Sequence, residues 1–312
     1  MEIFLFFLDH SDIRWKQYAT TIAGENGQGD QLDQLNCPGG ISVDNQNQMI
    51  YIADRDNHRI IEWELNTNNG RIVAGGNGQG NGLDQLDLPR DVIIDRENND
   101  LIVADSGNRR VMRYSRHSDS PPEIVIDGIS CSRLAMHEDG TLYVSDSKKN
   151  EVRRWKKGET QGTVVAGGNG EGKQLDQLDC PTYLFVDDDH TLYISDSYNH
   201  RVMKWVEGAK EGIVVAGGNG CGDRLTHLSH PRGVMVDQLG RIYVADWQNH
   251  RVVRWYEGEK EGTIVVGGNG EGQEKNQLYG PFGLSFDGEG NLYVADCFNH
   301  RIEKFEREGR EN

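Results

Sequence analysis

Long apolar runs are missing from this chain. IFLFFL at residues 3–8 falls far below the roughly 20 residues of a membrane span and has no basic flank, so neither a transmembrane helix nor a signal peptide is expected. Basic residues are in deficit: 33 Lys and Arg against 50 Asp and Glu leave a formal charge of −17. That balance favours solubility and opposes nonspecific attraction to nucleic acid or an anionic membrane. No Asn-x-Ser/Thr acceptor occurs, which removes one mark of secretion. Prolines number seven beside 39 glycines, and helical periodicity is scarce. Val, Ile and Tyr alternate in short runs instead, which points to strands joined by turns and an all-β class.

One polar hinge is written six times. YVADWQNHRVVRW from Tyr243 has counterparts from Tyr51, Ile102, Tyr143, Tyr193 and Tyr293. The hinge aspartates are Asp54, Asp105, Asp146, Asp196, Asp246 and Asp296, spaced 51, 41, 50, 50 and 50 residues apart. A period in that range marks a repeat architecture, and a closed ring of repeats makes one domain. Within residues 212–255, GIVVAG, GVMVD, RIYVAD and RVVRW read as four strands bounded by Gly, Pro, Asn or Asp, and four short strands per repeat make a propeller blade.

The run P-x-G-[VL]-x-[VF]-D, then [LI]-Y-V-A-D, then N-H-R-[VI] resembles the NHL repeat over nearly the whole chain. The resemblance implies a six-bladed β-propeller of four-stranded antiparallel blades, with the strand after the proline innermost and the VVAG strand outermost. The last blade then lacks an outer strand, and YATTIAGENG at residues 18–27 is expected to supply it by pairing with HRIEKFE, which removes an exposed sheet edge. The expected organisation is a leader at 1–16, the propeller at 17–306 and a tail at 307–312. In the leader, DHSDIRWK imitates a third strand, as though the chain began midway through a repeat or had been cut from a longer parent. The third blade departs most, with a shortened connector and Asp146-Ser-Lys-Lys-Asn-Glu in place of the hinge.

The repeated residues are read as scaffold. Asp54 with Arg59, Asp105 with Arg110, Asp196 with Arg201, Asp246 with Arg251 and Asp296 with Arg301 are expected to fix the hinge loop by charge-assisted hydrogen bonds. Trp63, Tyr114, Trp155, Trp205, Trp255 and Phe305, which end the third strands, are assigned to packing between blades. The GGNGxG loops at Gly75, Gly167, Gly217 and Gly267 are connectors, since no helix follows to bind phosphate. An acidic near-ring at Asp44, Asp95, Asp187, Asp237 and Asp287, interrupted by His137, is assigned to turn hydrogen bonding.

Function is sought where the repeats differ on one face. The two positions after each proline differ most, and from them Arg90, Asp91, Arg133, Tyr183, Arg232 and Phe282 form the candidate ligand-binding set at the channel mouth. Guanidiniums and aromatics together suit a carboxylate, a phosphate or an acidic peptide; ion pairing with Asp91 is the competing structural role.

Fold relatives include peptidylglycine amidating lyases and gluconolactonase-like hydrolases, whose channels hold metal sites. Other NHL propellers resemble RNA-binding platforms, a role that the net acidity opposes. Here His58, His200, His250 and His300 are spread around the ring, and no spacing unites His137, His227 and His230 as a zinc set. No catalytic residue, metal or cofactor is therefore assigned, and a monomeric recognition scaffold for a protein segment or small anionic ligand is the leading expectation. Cys37 and Cys180 fill one repeat position on opposite sides of the ring, too far apart to bridge. Cys131, Cys221 and Cys297 show no Cys-x-x-Cys pairing, so mostly free thiols, and with them a reducing, cytoplasmic compartment, are expected.

Overall fold

The computed structural model describes residues 13–65, 67–117 and 120–309. Six four-stranded sheets, each antiparallel, form the ring. Blade 1 runs through Pro38–Asp44, Met49–Asp54, Arg59–Glu64 and Gly70–Gly75 from the axis outward, and its neighbours repeat the order. Innermost strands of successive blades pack against one another round the axis. Blade 6 takes its three inner strands from Pro281–Phe286, Leu292–Asp296 and Arg301–Phe305, and its outer strand from Thr20–Ala23, where Thr21 pairs with Glu303. The ring is thus closed by the chain's early residues, as the repeat count requires.

The alternation explains the burial. Second strands such as Leu292–Asp296 and Ile242–Asp246 are buried throughout because they lie mid-sheet with a blade on either face. Outer strands such as Thr263–Gly267 expose their first half and bury their second. Trp63, Tyr114, Trp205, Trp255 and Phe305 are buried in this packing, whereas Trp155 of blade 3 is half-buried.

Each hinge ties its blade to the connector arriving from the previous one. Asp54 binds Arg59 Nε through Oδ2 at 2.6 Å and accepts the Asn36 N–H through Oδ1 at 2.6 Å. Arg59 donates onward to the carbonyls of Asp30, Gln31 and Gln34 in that connector. The same contacts recur at Asp105/Arg110, Asp196/Arg201, Asp246/Arg251 and Asp296/Arg301, with Nε–Oδ2 distances of 2.7, 2.7, 2.8 and 2.9 Å. Blade 3 is the internal control: its connector is short, and Glu151 stands where the arginine would be and pairs with Arg153 instead. With no long loop to hold, there is nothing for the arginine to bind.

The next hinge residue stitches forward. His58, His200, His250 and His300 adopt left-handed backbone and accept, through Nδ1, the N–H of Leu88, His230, Gly280 and Cys37, the residue before the next blade's proline. Those pre-proline residues are themselves left-handed, Leu88 at φ 46° and Gly280 at φ 65°. Only glycine takes that region without a Cβ penalty, about 1–2 kcal/mol for other residues. Leu88→Gly is expected to raise the urea midpoint by an amount equivalent to about 1 kcal/mol; an unchanged or lower midpoint would show that Leu88 gains more from packing than it loses in strain.

Residues 13–17 lie under blades 5 and 6. Trp15 is buried against Tyr243 and Phe286, and its Nε1 donates to the Gly290 carbonyl at 2.9 Å. The leader's residues 1–12 and the tail's last three lie outside the described residues.

One expectation is corrected. Cys37 and Cys297 form a disulfide across the seam between blades 6 and 1, and the free thiols among the described residues are Cys131, Cys180 and Cys221. The two partners occupy different repeat positions, pre-proline and hinge, and ring closure brings them to a Cα separation of 4.3 Å. Comparing like positions alone hides such a pair. The reducing compartment inferred from free thiols loses that support.

Candidate functional site

Every innermost strand slips register just after its first residue, for example between Pro181 and Tyr183 and between Pro231 and Val234. Such bulges free side chains from the ladder and re-aim them. They fall on the two post-proline positions, so the variable residues converge on the axis.

Four of the six candidates pack with one another, Phe282 meeting the Tyr183 ring edge-on at 5.8 Å. Asp91, fully buried, pairs with Arg133 Nη1 and accepts the Leu134 N–H at 2.8 Å. The Arg133 guanidinium lies over the Tyr183 ring, 4.1 Å from its centroid, with the Tyr183 hydroxyl 3.3 Å from Nη1. Burial pushes the Asp91 carboxyl up to about 6 against the pull of Arg133, and raises the Tyr183 phenol. Glycines make room for this layer: a Cβ on Gly283 would lie 2.8 Å from the Tyr183 hydroxyl, and one on Gly40 would collide with Asp91 and Arg133. The axis is packed at this level, and Arg133 is already neutralised.

Arg90 and Arg232 differ from it. Arg90 donates to Ser132 Oγ at 3.1 Å, and Arg232 lies 5.4 Å from the centroids of both Trp247 and Phe282, its Nε without a hydrogen-bond partner. Neither has a carboxylate within ion-pairing distance among the described residues. Burial pulls both guanidiniums below arginine's ordinary value; Arg90 also feels Arg55, and Arg232 feels Arg90. The Cys180 thiol between them is raised by burial, against the influence of both arginines. Part-buried, uncompensated positive charge stands at the mouth of an acidic protein.

Aromatics missed by the sequence reading surround it. Tyr198 stacks edge-on to His230 at 5.7 Å, His230 to Trp247 at 6.3 Å, and Trp247 tilts against Phe298 at 5.7 Å, which meets Tyr279 at 5.0 Å. Tyr198, Phe298 and Tyr279 are exposed. Three of these rings occupy the two positions between the hinge Asp and Asn, which read Arg-Asp, Ser-Gly, Ser-Lys, Ser-Tyr, Trp-Gln and Cys-Phe around the ring. That variability was a visible signal inside a motif otherwise assigned to scaffold.

Histidines that share no sequence spacing meet in two sets: His200 with His230 and Cys221 near the mouth, and His137 with Asp139 and His190 on the opposite face. In the first set His200 Nδ1 accepts a backbone N–H, so its proton sits on Nε2 and that nitrogen has no lone pair for an ion. The acidic near-ring serves the turns: Asp187 Oδ1 accepts the N–H groups of Asp189 and Thr191, and Asp237 binds Arg241 Nε at 2.6 Å.

No curated protein matches the chain. Solved structures share its fold at low identity: an auxiliary nutrient binding protein from Bacteroides thetaiotaomicron (TM-score 0.71, 16% identity, 96% of this chain and 78% of that one) and virginiamycin B lyase from Staphylococcus aureus (0.56, 11%, 94% and 99%). The NHL repeat family model matches residues 35–62 and 228–255, which span the proline strand through the hinge of blades 1 and 5. The chain carries NHL repeats at these two sites and folds as a six-bladed β-propeller.

Proposed function

We propose that the protein is a recognition module whose mouth takes an anionic group, carboxylate or phosphate, from a protein segment or small ligand. The observation that supports this reading is the pair of part-buried arginines, Arg90 and Arg232, with no carboxylate of their own. A buried charge without a counter-ion is costly, and an anion arriving between the two relieves that cost while accepting charge-assisted hydrogen bonds. Trp247, Tyr198 and Phe298 offer ring faces to the rest of the ligand. Arg133, Asp91 and Tyr183 form the floor, and Phe282 supports Arg232. The binding function of the nutrient binding protein with the same fold is compatible with this use of the ring, although fold alone does not assign a ligand.

The test is a thermal-shift and calorimetric panel of phosphate, citrate and polyglutamate. Wild type is expected to be stabilised by at least one, and Arg90→Ala or Arg232→Ala to weaken that binding by about 2 kcal/mol, roughly thirtyfold, with the fold intact. Stabilisation that persists in the double variant would place anion binding elsewhere.

A further inference from the structure

On the face opposite the mouth, the turns joining the first and second strands of blades 3 and 4 bring together His137, Asp139 and His190. We propose that this trio is a binding site for a divalent transition ion of the Zn2+ class, bridging the two blades through His137 Nδ1, His190 Nε2 and the Asp139 carboxylate.

Both rings already make the outer contacts that orient metal-binding imidazoles. A ligating histidine usually donates its second N–H to a carbonyl or another oxygen, which fixes the tautomer. His137 Nε2 lies 3.2 Å from the Asp188 carbonyl, a donor geometry that leaves Nδ1 as an acceptor; it takes the Asp139 N–H at 3.2 Å with Asp139 Oδ1 2.9 Å away, so an ion at Nδ1 displaces that N–H. His190 Nδ1 lies 2.8 Å from the Tyr143 hydroxyl, which can accept as well as donate, so His190 is free to carry its proton there. Its Nε2 then faces Asp139 Oδ2 at 3.6 Å. His200 at the mouth has no such freedom, because a backbone N–H can only donate to its Nδ1.

A positive centre also suits the surroundings. With Nδ1 unprotonated, the Asp139 carboxylate oxygen lies 2.9 Å from a lone pair that the Asp139 N–H, at 3.2 Å, offsets only in part, and a cation between them removes the remaining repulsion. Glu138, Asp188 and Asp189 on the same two turns add negative charge. Two imidazoles and one carboxylate are the donor set of a borderline ion, whereas Ca2+ and Mg2+ favour oxygen donors throughout. The rings stack 3.7 Å apart, so coordination requires the His190 ring to pivot out of the stack about its Tyr143 contact, on a turn whose Asp139 partner is half exposed.

The sequence marks the place by two substitutions that scaffold roles do not require. His137 stands where five blades have Asp, and His190 occupies a left-handed turn position, φ 59°, that holds glycine or Asn99 in four of the other blades.

The experiment is titration of ZnCl2 into the full chain by calorimetry at about pH 7.5, with Co2+ absorption as a second readout of nitrogen ligation. One ion per chain is expected, with affinity reduced more than about tenfold in His137→Asn and in His190→Asn and unchanged in Cys221→Ser. Asn is tolerated at the His190 position, since Asn99 takes the same backbone in blade 2, and thermal melts of the variants confirm folding. No stoichiometric binding, binding indifferent to both histidine variants, or binding abolished by Cys221→Ser would each overturn the proposal.

Discussion

Reducing the disulfide between Cys37 and Cys297 is expected to lower stability by about 4 kcal/mol. The bond links residues 260 apart, and in the chain-entropy account a cross-link over so long a loop restricts the unfolded ensemble by about 5–6 kcal/mol, less any strain in the fold. It also joins the first and last blades, next to the ladder between Thr20–Ala23 and Arg301–Phe305, where hydrogen bonds and not continuous backbone close the ring. The Cys37→Ser/Cys297→Ser variant should unfold at the reduced protein's urea midpoint and show no further response to reductant. Thiol titration of the denatured, unreduced wild type should count three free groups. Five thiols, or a midpoint indifferent to reductant, would remove the cross-link from the account.

Glu303, in the ladder that closes the ring, acts with the opposite sign. It lies in the third strand of blade 6, is 1% exposed, and neither carboxylate oxygen has a hydrogen-bond partner. Arg301 Nε is 2.9 Å from Glu303 Oε1, but its single N–H is committed to Asp296. Burial raises the Glu303 carboxyl to about 7; Arg301 opposes the rise and Asp296 adds to it. The folded value stands above the unfolded one, so the folded protein binds the proton more tightly. The contribution is therefore most favourable below the unfolded value of 4.5, is lost as pH rises towards 7, and leaves the full penalty above that. A shift of that size corresponds to about 3 kcal/mol. Neighbouring blades carry Ile61, Met112, Met203 and Val253 at this register. Glu303→Met is accordingly expected to stabilise the protein by about 3 kcal/mol at about pH 8 and by much less at about pH 4.5, read as the difference in urea unfolding free energy. An equal gain at both pH values would mean that the carboxyl is not the titrating cause.

The blades were legible because the chain states them six times. The proline strand, the Tyr-Val-Ala-Asp strand and the Asp–Arg spacing recur at a fixed period, so each copy corroborates the others, and even the closing strand followed from counting. Contacts between unlike repeat positions were not legible. Cys37 meets Cys297, and His137 meets His190, only when one blade's turn or pre-proline residue is laid beside a different position of its neighbour, an offset that periodic comparison never samples. The mouth was legible as an address but not as a state: Arg133 and Asp91 are adjacent-blade partners that neutralise each other, whereas Arg90 and Arg232, identical in kind on paper, are left without a counter-ion.

The closing strand also sets an order of events during synthesis. Thr21 leaves the ribosome roughly 280 residues before Glu303, its partner in the ladder. At about 5–20 residues per second it waits on the order of 15–60 s with its hydrogen-bonding edge open. Blades 1 to 5 have all their strands by then, each from one continuous stretch of chain, and can assemble as an open arc. Completion of blade 6 is the step that turns the arc into a ring, so the earliest residues described are among the last to find their place.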